Sequence, residues 1–150
     1  MQKHILLLLI TGFLLSGFQL SSKKELKKRI NSLLEFSQTI TDETNREEAI
    51  PTINDFLQES EHKAVAAVEL FQLWQLENRT TTSQKKRIKS ITLLKEMNMA
   101  LVKVSVDRTS KRRNSKGKSI TKKEFLEMNM TWVLKNKIWY LRTERATNTE

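Results

Sequence analysis

The chain has 150 residues and a formal net charge of +10 at pH 7, with 27 Lys and Arg against 17 Asp and Glu. Because it contains no cysteine, it is not a disulfide-stapled scaffold, a thiol enzyme or a cysteine-type zinc protein. The length suits one domain behind a short leader. The basic balance favours acidic partners such as nucleic acid, anionic lipid or an acidic polymer, although a Lys-rich surface also serves simply to keep a protein in solution.

Segment 1–22 is predicted to be a signal peptide or a membrane anchor. A short basic start is followed by an almost wholly apolar run, Ile5–Leu15, which is typical of the hydrophobic region of a signal peptide. The apolar stretch ends by Leu20 and is shorter than the roughly 20 residues that span a bilayer comfortably. The basic run Lys23–Arg29 opposes translocation of that end, so an uncleaved anchor is the alternative. The protein is therefore expected to be extracytoplasmic (periplasmic or secreted), or held at a membrane by this segment.

Three helices are predicted after the leader. Apolar residues recur at helical spacing over 23–41, with charged and polar residues between them, which indicates an amphipathic helix. A second helix, 51–59, is expected to begin at Pro51, since proline suits a first turn and breaks a helix interior. The third, 61–77, has few polar residues, so most of it is expected to be buried.

Antiparallel strands are predicted at 87–95, 99–108, 120–135 and 138–145. Their apolar and polar residues alternate with the period of a strand, and Asn136-Lys137 is expected to form a tight hairpin turn. Helices followed by such a meander indicate an α+β domain over 23–145, in which the helices cover one face of the sheet. The last residues, 146–150, are expected to be a disordered tail. The residues predicted to face inward are Val102, Val104, Val106, Leu126, Met128, Met130, Trp132, Leu134 and Trp139.

The segment Met130–Leu141 places a tryptophan on each of two strands joined by a tight turn. This arrangement, together with the preceding strand pair from Ile88 to Val106, resembles the nuclear-transport-factor-two-like superfamily (SnoaL-like, cone fold). The resemblance covers roughly 26–145 and implies a cystatin-like order of elements, with a curved sheet wrapped round a helix into a cone whose mouth can be a pocket. Asn136-Lys137 departs from the Asp-Gly usual at the family turn. Members include enzymes, binding modules and scaffolds, so the fold alone does not identify a function.

The inward strand face provides the candidates for a ligand pocket. Glu124 is the one carboxylate expected to point towards that pocket, where burial would raise its pKa into a range suited to proton transfer. A Glu at the end of a strand is more commonly a rim residue. No metal-ligand set and no cofactor motif is present, since His62 is the one histidine after the leader. The pocket candidates are Glu124, Leu126, Met128, Met130 and Trp132.

The segment Arg108–Lys123 carries eight cations and no acidic residue. It is predicted to be a mobile hairpin loop with Gly117 at its tip, able to bind a polyanion in a salt-sensitive, sequence-independent way. No aromatic residue lies among the cations, which argues against base stacking, and a solvated loop without a ligand is the alternative. Acidic residues cluster elsewhere in the chain, so two copies are expected to be able to form a homodimer. The polyanion candidates are Arg108, Lys111, Arg112, Arg113, Lys116 and Lys118.

The sequence favours a non-enzymatic domain of the cell envelope that binds a small apolar ligand or a protein partner, because its predicted interior is apolar and lacks convergent catalytic groups. A weak contact with an anionic polymer or a membrane surface is a further expectation from the basic segment. One alternative function is a membrane-anchored assembly component of a conjugative or type IV secretion-like machine, as the family resemblance implies. Another is a small lyase, isomerase or hydrolase that uses the cone pocket.

Overall fold

Three helices precede a four-stranded sheet in the computed structural model, which describes residues 22–143. The leader up to residue 21 and the tail 146–150 lie outside the described residues. The helices are α1 (22–39), α2 (Arg46–Phe56) and α3 (Lys63–Thr80). Between residues 22 and 143, no helix has both the length and the apolar character that crossing a bilayer requires. The predicted α+β class is confirmed.

Helix α1 buries one apolar stripe and leaves its Lys and Glu side chains exposed, as its helical periodicity predicts. Leu26, Ile30 and Leu33 are fully buried on this stripe. Arg29 lies at its edge, where its Nε donates a hydrogen bond to the Trp139 carbonyl oxygen at 2.7 Å. Its guanidinium also lies 4.8 Å from the centroid of the Phe56 ring, so Arg29 joins α1 to both the sheet and α2.

The predicted start of the second helix at Pro51 is wrong. The helix begins at Arg46 because Asn45 caps it, with the Asn45 side chain accepting a hydrogen bond from the Glu47 amide at 2.9 Å. Pro51 therefore lies inside α2, where it removes one backbone donor. The helix persists because Ala49 and Ile53, on either side of the proline, are buried in the core.

The expectation that most of the third helix is buried is also wrong. Ala67, Phe71 and Trp74 are its buried residues, and Trp74 packs edge-on against Phe36 of α1 with 6.4 Å between ring centroids. On the other side, Leu76 is 60% exposed. Apolar composition alone overstated the burial, because only one face of α3 finds a partner among the described residues.

The four strands form one antiparallel meander in chain order, β1-β2-β3-β4. The predicted bounds differ from the observed ones mainly at the far end of the sheet. The first strand begins directly after α3 rather than at residue 87, since its first residue Thr81 pairs with Ser110, and the second strand extends past residue 108 to meet it. The strands are β1 (Thr81–Leu94), β2 (Met99–Arg113), β3 (Ser119–Lys135) and β4 (Ile138–Leu141), with a single 3₁₀ turn, Lys95–Met97, between the first two.

The helices cover the sheet face that the alternation predicted. Val102, Val104 and Val106 are buried there, and Trp132 is fully buried opposite Ala100. The core thus lies between the three helices and the halves of β2 and β3 nearest β4. The tight turn is confirmed, because Asn136 and Lys137 have φ values of 51° and 65°, as a two-residue hairpin of type I′ requires at both positions.

Candidate functional site

A cavity of about 680 Å³ lies between α1, α3 and β3 and is open on one side. We call it the helix–sheet cavity. Small-molecule sites in proteins occupy roughly 300–1,000 Å³, so its size suits a ligand. Its lining residues are Leu33, Leu34, Ser37, Leu57, Ala66, Glu69, Leu70, Leu73, Trp74, Glu77, Lys86, Met128, Asn129, Met130, Thr131, Leu141, Arg142 and Thr143.

The walls of the helix–sheet cavity are mainly apolar. Helix α3 supplies Leu70 and Trp74, one turn apart on the same face, and β3 supplies Met128 and Met130, two residues apart on the inward face. Helix α1 contributes Leu33 and Leu34 to the lining. Methionine side chains adapt readily to the shape of a hydrophobic occupant, so the cavity can hold an apolar group of irregular shape.

Lys86 is the unusual polar group of the cavity, since its side chain is only 2% exposed. Its Nζ donates a hydrogen bond to the Ser37 Oγ at 3.0 Å and lies 3.8 Å from the Glu77 carboxylate. Burial lowers the pKa of the Lys86 ammonium, and the Glu77 carboxylate opposes part of that effect.

The sequence reasoning missed Lys86 because it began the first strand at residue 87. The signal is nevertheless present in the alternation, since Lys86 precedes the half-buried Ile88 by two residues and so shares its face of the strand. In the register of the sheet, Lys86 and Ile88 pair with Val106 and Val104, both buried. Extending the alternation back by one residue from 87 would have placed this cation on the core face.

Two of the five predicted pocket residues line the helix–sheet cavity, and three do not. Met128 and Met130 form part of its wall. Trp132 is buried beneath the helices instead of facing the cavity. Leu126 and Glu124 lie nearer the start of β3, outside the cavity. The prediction of Leu126 as an interior residue is wrong, since Leu126 is 41% exposed: alternation gives its side of the strand, but not whether a helix covers that position.

The expectation of a raised pKa at Glu124 is wrong. Its carboxylate accepts a hydrogen bond from Lys122 Nζ at 2.5 Å and another from Arg108 at 2.7 Å. These two bonds lower the pKa of Glu124 to about 2, because hydrogen bonds from cations favour the ionised form. Glu124 is thus a carboxylate at neutral pH and does not act there as a general acid.

The predicted basic loop is mostly strand. Only the residues from Asn114 to Lys118 form the turn, in which the Asn114 side chain accepts hydrogen bonds from the amides of Lys116 and Lys118 at 3.0 and 2.8 Å. Gly117 lies at the tip with φ 75°, a value that favours glycine. The remaining cations lie on paired strands, since the pairing of β2 with β3 continues to Arg113 and Ser119. A paired hairpin replaces the expected mobile loop because every residue from 99 to 113 has a cross-strand partner.

A second space, the hairpin cleft, separates the end of α3 from the end of β2. Its volume is about 720 Å³. Leu73 and Glu77 line both the cleft and the helix–sheet cavity, so the two spaces adjoin along α3. The residues that line the hairpin cleft are Leu73, Leu76, Glu77, Thr80, Arg108, Ser110, Lys111, Arg112 and Arg113.

The hairpin cleft is strongly cationic. Arg108 is neutralised by Glu124, but no carboxylate of the described chain forms an ion pair with Lys111, Arg112 or Arg113. The Ser110 side chain adds a polar group, since its hydroxyl is buried and has no hydrogen-bond partner within residues 22–143. Three cations without acidic partners and one unsatisfied hydroxyl therefore line a single concave surface of the described chain.

No protein-family model, no curated protein and no solved structure matches this chain. In the part of the chain that the structure describes, no group of three or more His, Asp or Glu side chains is placed to hold a metal ion. The function is therefore inferred from the geometry of the cavity and the cleft.

Proposed function

We propose that the chain is an exported, non-enzymatic domain of the nuclear-transport-factor-two-like kind that binds a small apolar ligand. The observation that carries this proposal is the open helix–sheet cavity of about 680 Å³ with largely apolar walls. The order of elements, three helices and then an antiparallel sheet, supports the resemblance to that superfamily. The ligand would lie between Leu70 and Trp74 on one side and Met128 and Met130 on the other.

Burial of apolar surface supplies the binding free energy in such a site. Each methylene that moves from water into the cavity contributes about 0.8 kcal/mol, which is close to a fourfold gain in affinity. Longer apolar ligands should therefore bind more tightly until the cavity is full. The polar groups of the wall orient the ligand instead of reacting with it, because Lys86 is already bonded to Ser37 and paired with Glu77.

The charge state and position of Glu124, the candidate acid, support binding over catalysis. Glu124 is ionised by its two cationic neighbours and lies outside the helix–sheet cavity. A general acid or base works best with a pKa near the working pH and within hydrogen-bond reach of the ligand. Glu124 meets neither condition for a ligand in this cavity.

Tryptophan fluorescence tests the proposal directly. Of the three tryptophans of the chain, only Trp74 lines the helix–sheet cavity, so an apolar ligand should change its emission. We expect dodecan-1-ol to change the fluorescence with saturation, and shorter alcohols to bind more weakly by about fourfold per methylene. The same titration of Trp74→Phe should show little change.

A pair of variants separates cavity binding from adhesion to the surface. Ala66 lines the cavity, whereas its neighbour Val65 is 56% exposed and does not. Ala66→Phe should fill the space and abolish binding, while Val65→Phe should bind like the parent protein. Thermal melts of both variants check that the fold is retained. Equal binding by the two variants would contradict the proposed site.

The proposed export rests on the apolar run of the leader, Ile5–Leu15. N-terminal sequencing of protein recovered from the producing cell tests it. A product that starts near Phe18 or Lys23 in the extracytoplasmic fraction is the expected result. An intact Met1 in the membrane fraction would contradict cleavage and favour the membrane-anchored assembly component.

A further inference from the structure

We infer that the ligand is an anionic amphiphile whose apolar chain occupies the helix–sheet cavity and whose carboxylate or phosphate head group binds in the hairpin cleft. This inference rests on the proposed function and specifies its ligand class. The helix–sheet cavity is mainly apolar and the hairpin cleft is cationic, and the two spaces share a wall along α3.

The first support is the continuity of the two spaces along α3. Ala66, Leu70, Leu73, Glu77 and Thr80 follow one another at spacings of three or four residues and so lie on one face of the helix. The first two line only the helix–sheet cavity, the next two line both spaces, and Thr80 lines only the hairpin cleft. The face runs about 21 Å from end to end at the rise of an α-helix, which is long enough for an extended chain with a head group.

The second support is the change of character along the inward face of β2. Val102, Val104 and Val106 are apolar and buried, and the same face then continues with Arg108, Ser110 and Arg112. A single strand therefore leads from the apolar core to the cationic cleft. An amphiphile with its apolar end in the cavity and its anionic end in the cleft would match this change.

The third support is that the hairpin cleft contains hydrogen-bond donors without acidic partners in the described chain. Lys111, Arg112 and Arg113 have no acidic partner within residues 22–143. Guanidinium groups bind carboxylate and phosphate oxygens through two parallel hydrogen bonds. The Ser110 hydroxyl, in a residue that is only 2% exposed and without a partner in the described chain, is a further donor for an anionic oxygen. A ligand head group would satisfy it.

Lys86 is a buried cation in the wall of the helix–sheet cavity, but its environment argues against a role in binding the head group. Its Nζ is bonded to the Ser37 Oγ and paired with the Glu77 carboxylate. A head group at Lys86 would lie beside that carboxylate and be repelled by it. Glu77 also lines the hairpin cleft, but Arg108, Lys111, Arg112 and Arg113 outnumber it there.

The inference is tested with three probes of equal chain length, below their critical micelle concentrations: dodecyl phosphate, lauric acid and dodecan-1-ol. We expect both anionic probes to bind more tightly than the alcohol at low salt, and added salt to weaken only the anionic ones. Arg112→Ser with Arg113→Ser should weaken dodecyl phosphate roughly tenfold and leave dodecan-1-ol unchanged. Ser110→Ala should weaken dodecyl phosphate by about threefold.

The matched control for the arginine pair is Lys24→Ser with Lys27→Ser, which removes two exposed charges from α1 and should bind every probe like the parent. Equal affinity for the three probes, unchanged by the arginine substitutions, would overturn the inference while the proposed function stands. Inorganic phosphate that binds as tightly as dodecyl phosphate would overturn it in favour of a free anion. Failure of all three dodecyl probes to bind would refute the proposed function itself. The relative affinities of lauric acid and dodecyl phosphate distinguish a carboxylate from a phosphate head group.

Discussion

The Lys86 ammonium lies 3.8 Å from the Glu77 carboxylate, which links the first strand to the helix that precedes it. Helix α3 passes into β1 without an intervening loop, and the Thr81 hydroxyl donates a hydrogen bond to the Glu77 carbonyl oxygen at 2.6 Å across the junction. The ion pair lies on the wall of the helix–sheet cavity. It therefore contributes both to the fold and to the surface of the cavity.

The buried ammonium should make stability depend on pH in the alkaline range. Because burial lowers the pKa of Lys86 below its ordinary 10.5, the unfolded chain binds more protons than the folded one between the two pKa values. The free energy of unfolding should therefore rise with pH over that window. Lys86→Met should lose this rise, whereas Lys85→Met, at an exposed position, should keep it. Urea unfolding at a series of alkaline pH values measures the effect, and parallel pH curves for the parent and Lys86→Met would contradict it.

Trp132 and Trp139, two of the three buried tryptophans, should respond differently to loss of the indole nitrogen. Trp132→Ala should lower the free energy of unfolding by about 3–5 kcal/mol, as expected for a large aromatic residue in a core. Trp132 Nε1 has no hydrogen-bond partner in the described chain, whereas Trp139 Nε1 donates to the Ser22 carbonyl oxygen at 3.1 Å. Replacement of each by Phe should thus cost about 0.5–1.5 kcal/mol more at Trp139 than at Trp132. Denaturant titrations of the three variants check this order, and equal costs for the two Phe variants would show that the Ser22 bond contributes nothing.

The last hairpin turn contains a residue in an unfavourable backbone conformation. Lys137 has φ 65°. For a residue with a Cβ atom, this conformation is higher in free energy by about 1–2 kcal/mol than the preferred ones. Lys137→Gly should therefore raise the free energy of unfolding by about 0.5–1 kcal/mol after the entropy cost of glycine is included. Lys135→Gly, at the end of β3, is the control and should lower it by a similar amount. A shift of the thermal midpoint in the same direction for both variants would contradict this account of the turn.

The cations of the β2–β3 hairpin should make any polyanion binding sensitive to salt. Lys111, Arg112 and Arg113 lie on paired strands without acidic partners in the described chain, so each of them that neutralises a phosphate or sulfate should release counterions. We expect weak binding to DNA or heparin at low salt and little at about 0.15 M. Changing the three residues to Ser should flatten the slope of log affinity against log salt, by roughly one unit for every cation that had neutralised a phosphate. The fold should be unaffected, because exposed charges contribute about 0–1 kcal/mol each.

The control for that experiment is the removal of three exposed lysines from α1, Lys24, Lys27 and Lys28. It changes the net charge equally and should leave the salt slope unchanged. Salt-insensitive or sequence-selective binding by the parent protein would contradict a purely electrostatic interaction. An equal change of slope in both triple variants would show that net charge, and not the hairpin, attracts the polyanion.

The class of fold, and the sides of β2, β3 and β4 that face the core, could be predicted from the sequence. Those features depend on local periodicity: α1 repeats its apolar residues at helical spacing, and Val102, Val104 and Val106 alternate with polar residues at strand spacing. The turn at Asn136-Lys137 was predictable because it lies between two strongly patterned strands. The start of α2 was predicted wrongly because the Asn45 cap outweighs the proline at Pro51. The burial of α3 was overestimated because its apolar face is wider than the surface that packs against it.

Which groups from distant parts of the chain meet depends on tertiary packing. The charge state of Glu124 depends on the register that places it opposite Arg108, and nothing in the local sequence specifies that register. The burial of Lys86 depends on the way in which α3 and α1 cross the sheet, since Ser37 and Glu77 come from those two helices. The cavity and the cleft are likewise spaces between elements far apart in the sequence. Local sequence patterns reflect the conformational preferences of one segment. A site forms where several segments pack together, so its position and chemistry depend on the packing of the whole domain.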